Sequence, residues 1–390
     1  MDLNNLTSRF LEIFENEKEK EIKLFFSPGR INLIGEHIDY NGGFVFPAAI
    51  TFGTYAAVTA REDRKVVLYS GNFESDGVIA FQLDDLERKA EEPWSVYVKG
   101  VIDVFIKAGY DIKQGFNAYI EGTIPNGAGL SSSASLEVLI GTILEDLNGL
   151  SVSGIDKAKL GQKAENEYVG VNCGIMDQFA IAMGQKNKAI KLNTDTLAYT
   201  YADCDLKNYQ ILIMNTNKQR ELADSKYNER RKECDAALEG LQKSANINYL
   251  CDLTVAEFDA ISDVLIEENL YKRAKHAVGE NERVKLAITA LAKGDLTAFG
   301  VLLNQSHLSL RDDYEVTGVE LDTIVELAWA QAGVLGARMT GAGFGGCAIA
   351  LVHEDKLDEV QGTIAKEYQE KMGYEAEFYV ASIGDGAKKL

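Results

Sequence analysis

The hydrophobic pattern that follows residue 132 has helical spacing. The positions that fit the i, i+3, i+4, i+7 spacing of one buried helical face are Leu136, Leu139, Ile140, Ile143, Leu144 and Leu147. A short loop rich in glycine and serine comes directly before this helical pattern, at residues 126–131. The sequence therefore predicts a loop that opens into a buried helix, and the helix is expected to begin near Ser132.

Elsewhere, the pattern of apolar and polar positions predicts a mixture of helices and strands. Helices are expected at residues 3–14, 94–108, 155–168, in the second half of 170–184, at 221–243, through most of 243–333 and near 356–371. Strands are expected at residues 23–26, 44–50, 54–60, 66–69, 78–83, 116–121, 189–192, 210–215, 337–340, 346–352 and 375–381. Residues 27–43 are so dense in charged, polar and turn residues that we expect them to lie outside the core. If the chain forms two domains, they join closely, with a boundary near residues 195–208.

Composition and charge narrow the class of protein. The 390 residues are 46% hydrophobic and 26% charged, which is ordinary for a globular protein. The net charge of -20 makes nucleic acid and anionic membranes poor partners. No apolar run approaches the ~20 residues that cross a bilayer, and residues 1–20 lack the features of a signal peptide. The five cysteines include no C-x-x-C pair, so we expect reduced thiols in a soluble, cytoplasmic protein.

The loop before the predicted helix has the chemistry of a phosphate site. Gly127 and Gly129 allow a tight turn and a close approach of backbone to ligand. The first N–H groups of the helix have no partner of their own and favour an anion. The residues 131–133 are three serines, which add hydroxyl groups for phosphate or for a Mg2+ shell. The alternative is a plain turn with a helix cap.

Two other nucleotide-binding motifs fit less well. The chain contains no Gly-Lys dipeptide, which excludes a Walker A loop. A G-x-G-x-x-G string ends at Gly346, but residues 347–352 look like a strand where the dinucleotide fingerprint needs a helix.

Four polar clusters need a common explanation. They are Arg30 with Glu36, His37 and Asp39; the serines Ser131, Ser132 and Ser133; Glu165 with Asp177; and the Gly-rich residues 340–346. Each has a structural alternative: a surface ion pair of Arg30 with Glu36, a satisfied polar histidine, a helix-terminal acid at Asp177, or a tight hairpin. Their joint occurrence favours one functional site.

These residues resemble the galactokinase family. Residues 29–43 are similar to its signature, residues 127–137 to the phosphate-binding motif of the superfamily that includes homoserine, mevalonate and phosphomevalonate kinases, and residues 339–346 to its third motif. Residues 174–180, 220–234, 280–283 and 306–317 also resemble segments of the family, so the resemblance covers nearly the whole chain. Ile38 is a departure, because the family usually has Thr or Val there; we expect little consequence.

The resemblance implies an α+β fold of two domains, at residues 1–200 and 201–390, with the active site in the cleft between them. It implies a kinase that uses ATP and Mg2+ to convert galactose into galactose 1-phosphate. Asp177 would be the general base and Arg30 the cation that stabilises it and the transferring group. The implied sugar contacts are Glu36, His37, Ile38, Asp39, Gly174, Asp177 and Tyr227. The implied nucleotide contacts are Ser70, Gly127, Ala128, Gly129, Leu130, Ser131, Ser132 and Ser133. Ser133 and Glu165 would be the metal ligands.

Two alternatives remain at this point. The chain could phosphorylate another sugar such as N-acetylgalactosamine, which needs a larger pocket near the C2 hydroxyl. It could instead be a galactose sensor similar to the galactokinase-like transcriptional regulators of yeasts. Those regulators lack a Ser-Ala pair in the second motif, whereas Ser133 and Ala134 are present here. Galactose and ATP are the expected partners, with no nucleic acid and no membrane; the sequence predicts nothing about protein partners.

Overall fold

The structure is a computed structural model that describes residues 1–89, 94–124, 129–218 and 223–390. Within these residues it is an α+β protein built on three sheets. The strands are β1 (Lys23–Asn32), β2 (Phe44–Val45), β3 (Pro47–Ala60), β4 (Lys65–Ser70), β5 (Ile79–Gln82), β6 (Phe116–Gly122), β7 (Lys188–Asn193), β8 (Tyr199–Asp203), β9 (Tyr209–Asn215), β10 (Val334–Thr340), β11 (Cys347–His353), β12 (Glu377–Ala381) and β13 (Lys388–Lys389).

The helices agree closely with the hydrophobic periodicity. They are α1 (Leu3–Ile13), α2 (Ser95–Lys107), α3 (Ser132–Asn148), α4 (Gly154–Lys163), α5 (Met176–Met183), α6 (Ala223–Leu241), α7 (Val255–Ile261), α8 (Glu268–Ala292), α9 (Leu296–Ser309), α10 (Gly318–Trp329) and α11 (Leu357–Met372). Two π-helical turns, Ala164–Val169 and Leu310–Tyr314, continue α4 and α9. No helix among the described residues combines the length and the apolar character needed to cross a membrane.

The first sheet has six strands in the order β13-β1-β3-β6-β4-β5. Helices α2 and α3 lie against it, and their apolar faces form a core with the strands, for example through Phe105, Ile143 and Phe116. The helix predicted to begin near Ser132 is therefore α3, and the six apolar positions that the spacing indicates are all buried, as are most of the residues between them.

The second sheet has the strand order β10-β11-β9-β12, and α9 and α10 pack on β10. A small third sheet has the order β2-β7-β8; its strands β7 and β8 lie between β6 and β9 in sequence, whereas β2 lies between β1 and β3. One hydrophobic core includes residues from Ile31 to Ile383 and thus side chains from both sides of residue 200. The division of the chain into residues 1–200 and 201–390 stays a prediction.

The expectation that residues 27–43 lie outside the core is wrong. Strand β1 extends through Arg30 to Asn32, and Ile31, Leu33 and Ile34 are fully buried. Most polar residues of this segment are buried as well, and neighbouring elements supply hydrogen bonds to several of them, including Arg30, Glu36 and His37. Two strands were also not predicted: β8, inside the expected boundary segment, and the two-residue β13.

Candidate active site

A cavity of about 600 Å3 brings the four polar clusters together. Its walls come from β1, from the loop after β1, from the N-terminal ends of α3 and α5, from the π-helical turn Ala164–Val169, from α6 and from the loop after β10. The predicted site residues that line it are Arg30, Glu36, His37, Asp39, Gly129, Ser131, Ser132, Ser133, Glu165, Gly174, Asp177 and Tyr227. Gly127 and Ala128 lie outside the described residues.

The centre of the cavity is an ion pair between Arg30 and Asp177. The Arg30 guanidinium donates through Nε and Nη2 to the two carboxylate oxygens of Asp177, both at 2.9 Å. Its Nη1 donates to the carbonyl oxygen of Gly129 at 2.8 Å. Arg30 is almost fully buried, whereas the Asp177 side chain keeps 31% of its surface exposed to the cavity. The surface ion pair of Arg30 with Glu36, offered as an alternative, is not formed.

The start of α3 faces the same ion pair. Ser131 precedes the helix with a φ of 64°, and its hydroxyl donates to Asp177. Such a left-handed backbone is strained for a non-glycine residue and is typical of functional sites. Gly129 has a φ of 74°, and a Cβ on Gly341 would come within 2.7 Å of the Gly129 carbonyl oxygen. The second and third motifs therefore touch, backbone against backbone.

An acidic pair lies beside the first turn of α3. The Ser133 hydroxyl donates to Glu165 Oε1 at 3.3 Å. The amide nitrogen of Gln178 donates to Glu165 at 2.8 Å and to Glu137 at 2.9 Å. Burial, followed by the charge of Asp177, raises the pKa of Glu165 to about 7. Burial, followed by the charge of Glu165, raises the pKa of Glu137 well above its usual range. The region therefore has an excess of carboxylates over cations.

The loop after β1 carries Glu36 and His37 into the cavity. Glu36 is buried, and its Oε1 accepts from the Gly341 N–H at 2.7 Å. His37 has a φ of 60°, and its ring is held by the Tyr40 hydroxyl at 2.8 Å and by the Ala342 carbonyl oxygen at 3.1 Å. Burial lowers the pKa of His37 to about 3, so the ring is neutral. Because a carbonyl only accepts, Nε2 must carry the proton and Nδ1 must accept from Tyr40.

Asp39 lies against the α5 side of the cavity. Any Cβ on Gly174 would collide with its carboxylate, so residue 174 has to be glycine for Asp39 to take this position. Burial, followed by the charges of Asp177 and Glu36, raises the pKa of Asp39 to about 7. Tyr227, on α6, covers the His37 ring with 5.5 Å between the ring centroids. Asp39, His37 and Tyr227 thus place a carboxylate, an imidazole and a phenol around one part of the cavity.

Three predicted site residues lie away from this cavity. The Ile38 side chain is fully buried in the core and does not line the cavity, while its carbonyl oxygen accepts from the N–H groups of Asn41 and Gly43. Leu130 is buried too, and its carbonyl oxygen accepts from the Arg30 N–H at 3.2 Å. Ser70 lines a second cavity of about 170 Å3, which shares Ser132 and Ser133 with the main one.

Known families match the chain over most of its length. Residues 8–60 match the galactokinase galactose-binding signature, residues 96–185 the N-terminal domain of GHMP kinases, and residues 287–370 their C-terminal region. Galactokinases of Clostridium perfringens (strain SM101 / Type A) and Clostridium acetobutylicum are 58% and 55% identical to it, and each alignment covers 100% of this chain and at least 99% of the relative. The chain belongs to the galactokinase family.

Solved structures agree with this assignment. The crystal structure of Lactococcus lactis galactokinase complexed with galactose is 56% identical, covers 100% of both chains and superposes with a TM-score of 0.97. The mevalonate kinase of Methanococcus jannaschii, 18% identical with a TM-score of 0.68, shares the fold over 94% of this chain. The predicted family, the α+β fold class and galactokinase function are confirmed, and ATP is the co-substrate that membership of this kinase family entails.

Sequence reasoning missed part of the galactokinase-family site. Arg338 on β10 and Gln178 on α5 are both fully buried and contact Glu36 and Glu165, respectively. Glu280 on α8 lies in a segment that resembles the family, but the resemblance assigns it no role; it accepts from the N–H groups of Gly35 and Glu36. A sequence signal existed for Arg338, since a charged residue in an otherwise apolar strand needs a buried partner.

Proposed function

We propose that this chain transfers the γ-phosphoryl group of ATP to the anomeric hydroxyl of D-galactose, the first phosphorylation step of galactose catabolism. The observation that carries the proposal is the Arg30–Asp177 pair, which contacts Gly129 and Ser131 before α3 and lies in the same cavity as the polar loop of residues 36–39. The galactose in the complex of the 56% identical Lactococcus lactis protein supports the same sugar here.

Asp177 acts as the general base on the anomeric hydroxyl. Its carboxylate lies in the first turn of α5, where the helix dipole favours a negative charge, and it is the partly exposed member of the ion pair. Arg30 fixes the orientation of this carboxylate with two parallel hydrogen bonds. As the phosphoryl group moves, its negative charge spreads over the equatorial oxygens, and the adjacent guanidinium offsets that charge.

The phosphates of ATP bind at the N-terminal end of α3. Residues 129–131 lead into α3, and the first N–H groups of a helix have no helical partner and favour an anion. The second cavity continues from Ser132 and Ser133 toward Ser70 and is lined by Trp94 and Tyr97, so an adenine ring would find aromatic and apolar surfaces there. Ser70 is therefore proposed as a nucleotide contact, and Leu130 as one that acts through its backbone.

Ser133 and Glu165 fit a Mg2+ ion. Both present oxygen atoms, which Mg2+ prefers, and Glu137 Oε1 is buried without a hydrogen-bond partner among the described residues. Within those residues no group of three or more His, Cys, Asp or Glu side chains is arranged to hold a metal ion. This agrees with Mg2+ held by one or two protein oxygens together with substrate phosphates. When bound, the ion supplies positive charge to the phosphate oxygens.

The sugar is recognised by Glu36, Asp39, Gly174, Tyr227 and His37. Glu36 and Asp39 provide carboxylate oxygens that accept from sugar hydroxyls. Gly174 provides the space that Asp39 occupies. Both ring nitrogens of His37 already have protein partners and Tyr227 and Tyr314 lie against its ring, so His37 contributes its backbone and supports Tyr227. Ile38 supports this loop from the core. We also propose a cytoplasmic location, because all five cysteines, each in the described part of the chain, are free thiols.

An assay of ADP release with a panel of sugars tests the function. Galactose differs from glucose in the orientation of one hydroxyl, and a site built to hydrogen-bond a hydroxyl can reject its analogue by ~10⁴–10⁵-fold. We expect turnover with galactose, far less with glucose, and Asp39→Ala to reduce galactose turnover without making glucose a comparable substrate. Equal rates with galactose and glucose would contradict the proposed loop contacts. A higher rate with N-acetylgalactosamine, or sugar binding without ADP release, would point to another sugar kinase or to a sensor.

A further inference from the structure

A buried carboxylate from α8 holds the loop that carries Glu36. Glu280 is fully buried, and its Oε1 accepts from the backbone N–H of Gly35 at 2.9 Å and of Glu36 at 3.3 Å. The same oxygen accepts from the Ser306 hydroxyl at 2.6 Å, and Oε2 accepts from Arg283 Nε at 2.8 Å. One side chain, more than 240 positions away in sequence, thus fixes the backbone on which Glu36 stands.

The same region holds Glu36 from two further directions. His276, one helical turn before Glu280 on α8, donates through Nε2 to the Glu36 carbonyl oxygen at 3.1 Å. Arg338, also fully buried, donates through Nη1 to the Asn32 carbonyl oxygen at 2.9 Å and reaches Glu36 Oε1 at 3.4 Å. The backbone N–H, the backbone carbonyl and one carboxylate oxygen of Glu36 are therefore all engaged by the later half of the chain.

The electrostatics favour an ionised Glu280. Burial disfavours the charged carboxylate, but Arg283, followed by His276 and Arg338, outweighs burial and lowers the pKa of Glu280 to about 2. A charged acceptor binds backbone N–H groups about twice as strongly as a neutral one. A buried charge also demands fixed partners, so the loop has little freedom to shift while Glu280 stays ionised.

The geometry leaves one oxygen of Glu36 for a ligand. Oε1 is used by Gly341 and Arg338, whereas Oε2 has no protein partner among the described residues, and Glu36 lines the main cavity. We propose that Glu280 is a positioning residue of the sugar site, which aims Glu36 Oε2 at galactose without touching the sugar itself. This inference rests on the proposed function, in which Glu36 is a sugar contact.

Glu280→Gln is the principal test, because it keeps the shape and removes the charge. We expect the galactose Kd, measured by calorimetry without nucleotide, to rise roughly 10- to 100-fold, since hydrogen bonds to a charged group are weakened. The KM for ATP should stay within about twofold. The matched control is Glu282→Gln, the same change two residues along α8 at a side chain that is 48% exposed, and it should alter neither value.

A second pair of variants keeps the proposal falsifiable if Glu280→Gln does not fold. Ser306→Ala removes one neutral donor to Glu280, together with the oxygen that accepts from Arg338 Nε at 3.1 Å, and should raise the galactose Kd by roughly 2- to 10-fold with an unchanged KM for ATP. If Glu280 acts through Glu36, the losses of galactose affinity in Glu36→Gln and in either of these variants will not add in the double variant.

The outcomes separate positioning from general stability. An equal rise of the galactose Kd and the KM for ATP, or no change of either, would overturn the positioning role while leaving the proposed function intact. Full additivity with Glu36→Gln would overturn it as well. Failure of the unaltered protein to bind galactose would instead remove the proposed function, and the positioning role with it.

Discussion

Asp177 has defined hydrogen-bond partners, so its proposed role as general base can be tested with a substitution that keeps the shape of the side chain. Asp177→Asn preserves the shape of the side chain and removes its basicity, while Arg30 and Ser131 remain beside it. We expect the variant to fold and to bind galactose, and kcat to fall by ~10²–10⁴-fold, the usual contribution of a general base. Steady-state kinetics with calorimetric galactose binding will measure this. Near-normal turnover would remove Asp177 from the mechanism.

The ionisation of Asp39 predicts a pH dependence of sugar binding. Its pKa is raised to about 7 by burial and by the charges of Asp177 and Glu36, so below that pH the carboxyl is mostly protonated and accepts poorly from hydroxyl groups. Galactose binding without nucleotide should therefore tighten as pH rises through about 7, by ~10-fold or more between pH 5.5 and pH 8.5.

The control for this pH dependence is Asp39→Asn, which cannot titrate. Its galactose Kd should be weak and nearly independent of pH over the same range, while its melting temperature reports whether it is folded. The same pH dependence in Asp39→Asn as in the unaltered protein would assign the effect to another group.

At the scale of elements, a substitution at the junction before α3 tests whether nucleotide binding can be weakened without weakening sugar binding. Gly129 has a φ of 74°, which a β-branched residue adopts only with strain, and its carbonyl oxygen accepts from Arg30. Gly129→Val should raise the KM for ATP at least ~10-fold through that strain and through crowding of the phosphate approach. The galactose Kd should change little.

A matched control for Gly129→Val is Gly109→Val, at a glycine of similar backbone that has open space around it. Gly109 has a φ of 91°, lies in a turn after α2 and does not line the cavity. It should cost stability without selectively affecting ATP. Equal loss of ATP and galactose affinity in Gly129→Val would show that the loop is only a structural turn.

Periodicity and apolar runs predicted most elements because both signals are local in sequence. Helix α3 follows from helical spacing, and the strands around residues 337–352 follow from apolar runs that are almost continuously buried. The burial of residues 27–43 could not be predicted from the sequence for a physical reason. Most polar groups of this segment are buried, but their partners, such as Glu280 and Arg338, lie some 240 to 300 positions away. No local pattern can reveal a hydrogen bond of that sequence separation.

The candidate site was predicted mainly through motif resemblance. The residues that could be predicted are those that lie in short, recognisable polar stretches of the sequence. Arg30, Asp177 and the serines of α3 stand in short polar stretches that are recognisable by themselves. Gln178 was not singled out because a buried amide beside apolar residues gives no periodic signal, although it joins two carboxylates. Ile38 differs from its neighbours in the loop, because its side chain is buried in the core and does not line the cavity.

At the scale of the whole molecule, the end of the chain stabilises the first sheet. Ile383 is buried and pairs with Ile50 of β3, and neither lines the main cavity. Ile383→Ala should lower the unfolding free energy by roughly 2–5 kcal/mol through the cavity it leaves. Urea unfolding measures the loss, and kcat at 25 °C should stay near normal.

Leu390→Ala provides the comparison, because Leu390 is 47% exposed and its truncation should change stability by no more than ~0.5 kcal/mol. Equal losses of unfolding free energy in the two variants would contradict the stabilising role of Ile383. Loss of turnover in a folded Ile383→Ala variant would contradict a purely structural role.

The pairing of β13 with β1 can form only near the end of synthesis of the chain. Phe25 pairs with Lys389, so more than 350 residues must be added before β1 acquires its outer neighbour. At ~5–20 residues per second a ribosome needs on the order of tens of seconds for that stretch. Throughout this interval Phe25 and Phe26 of β1 lack their partner strand, and an unpaired strand edge is the kind of surface on which nascent chains associate. A slower ribosome would lengthen that exposure, and a chaperone that shields extended edges would shorten it.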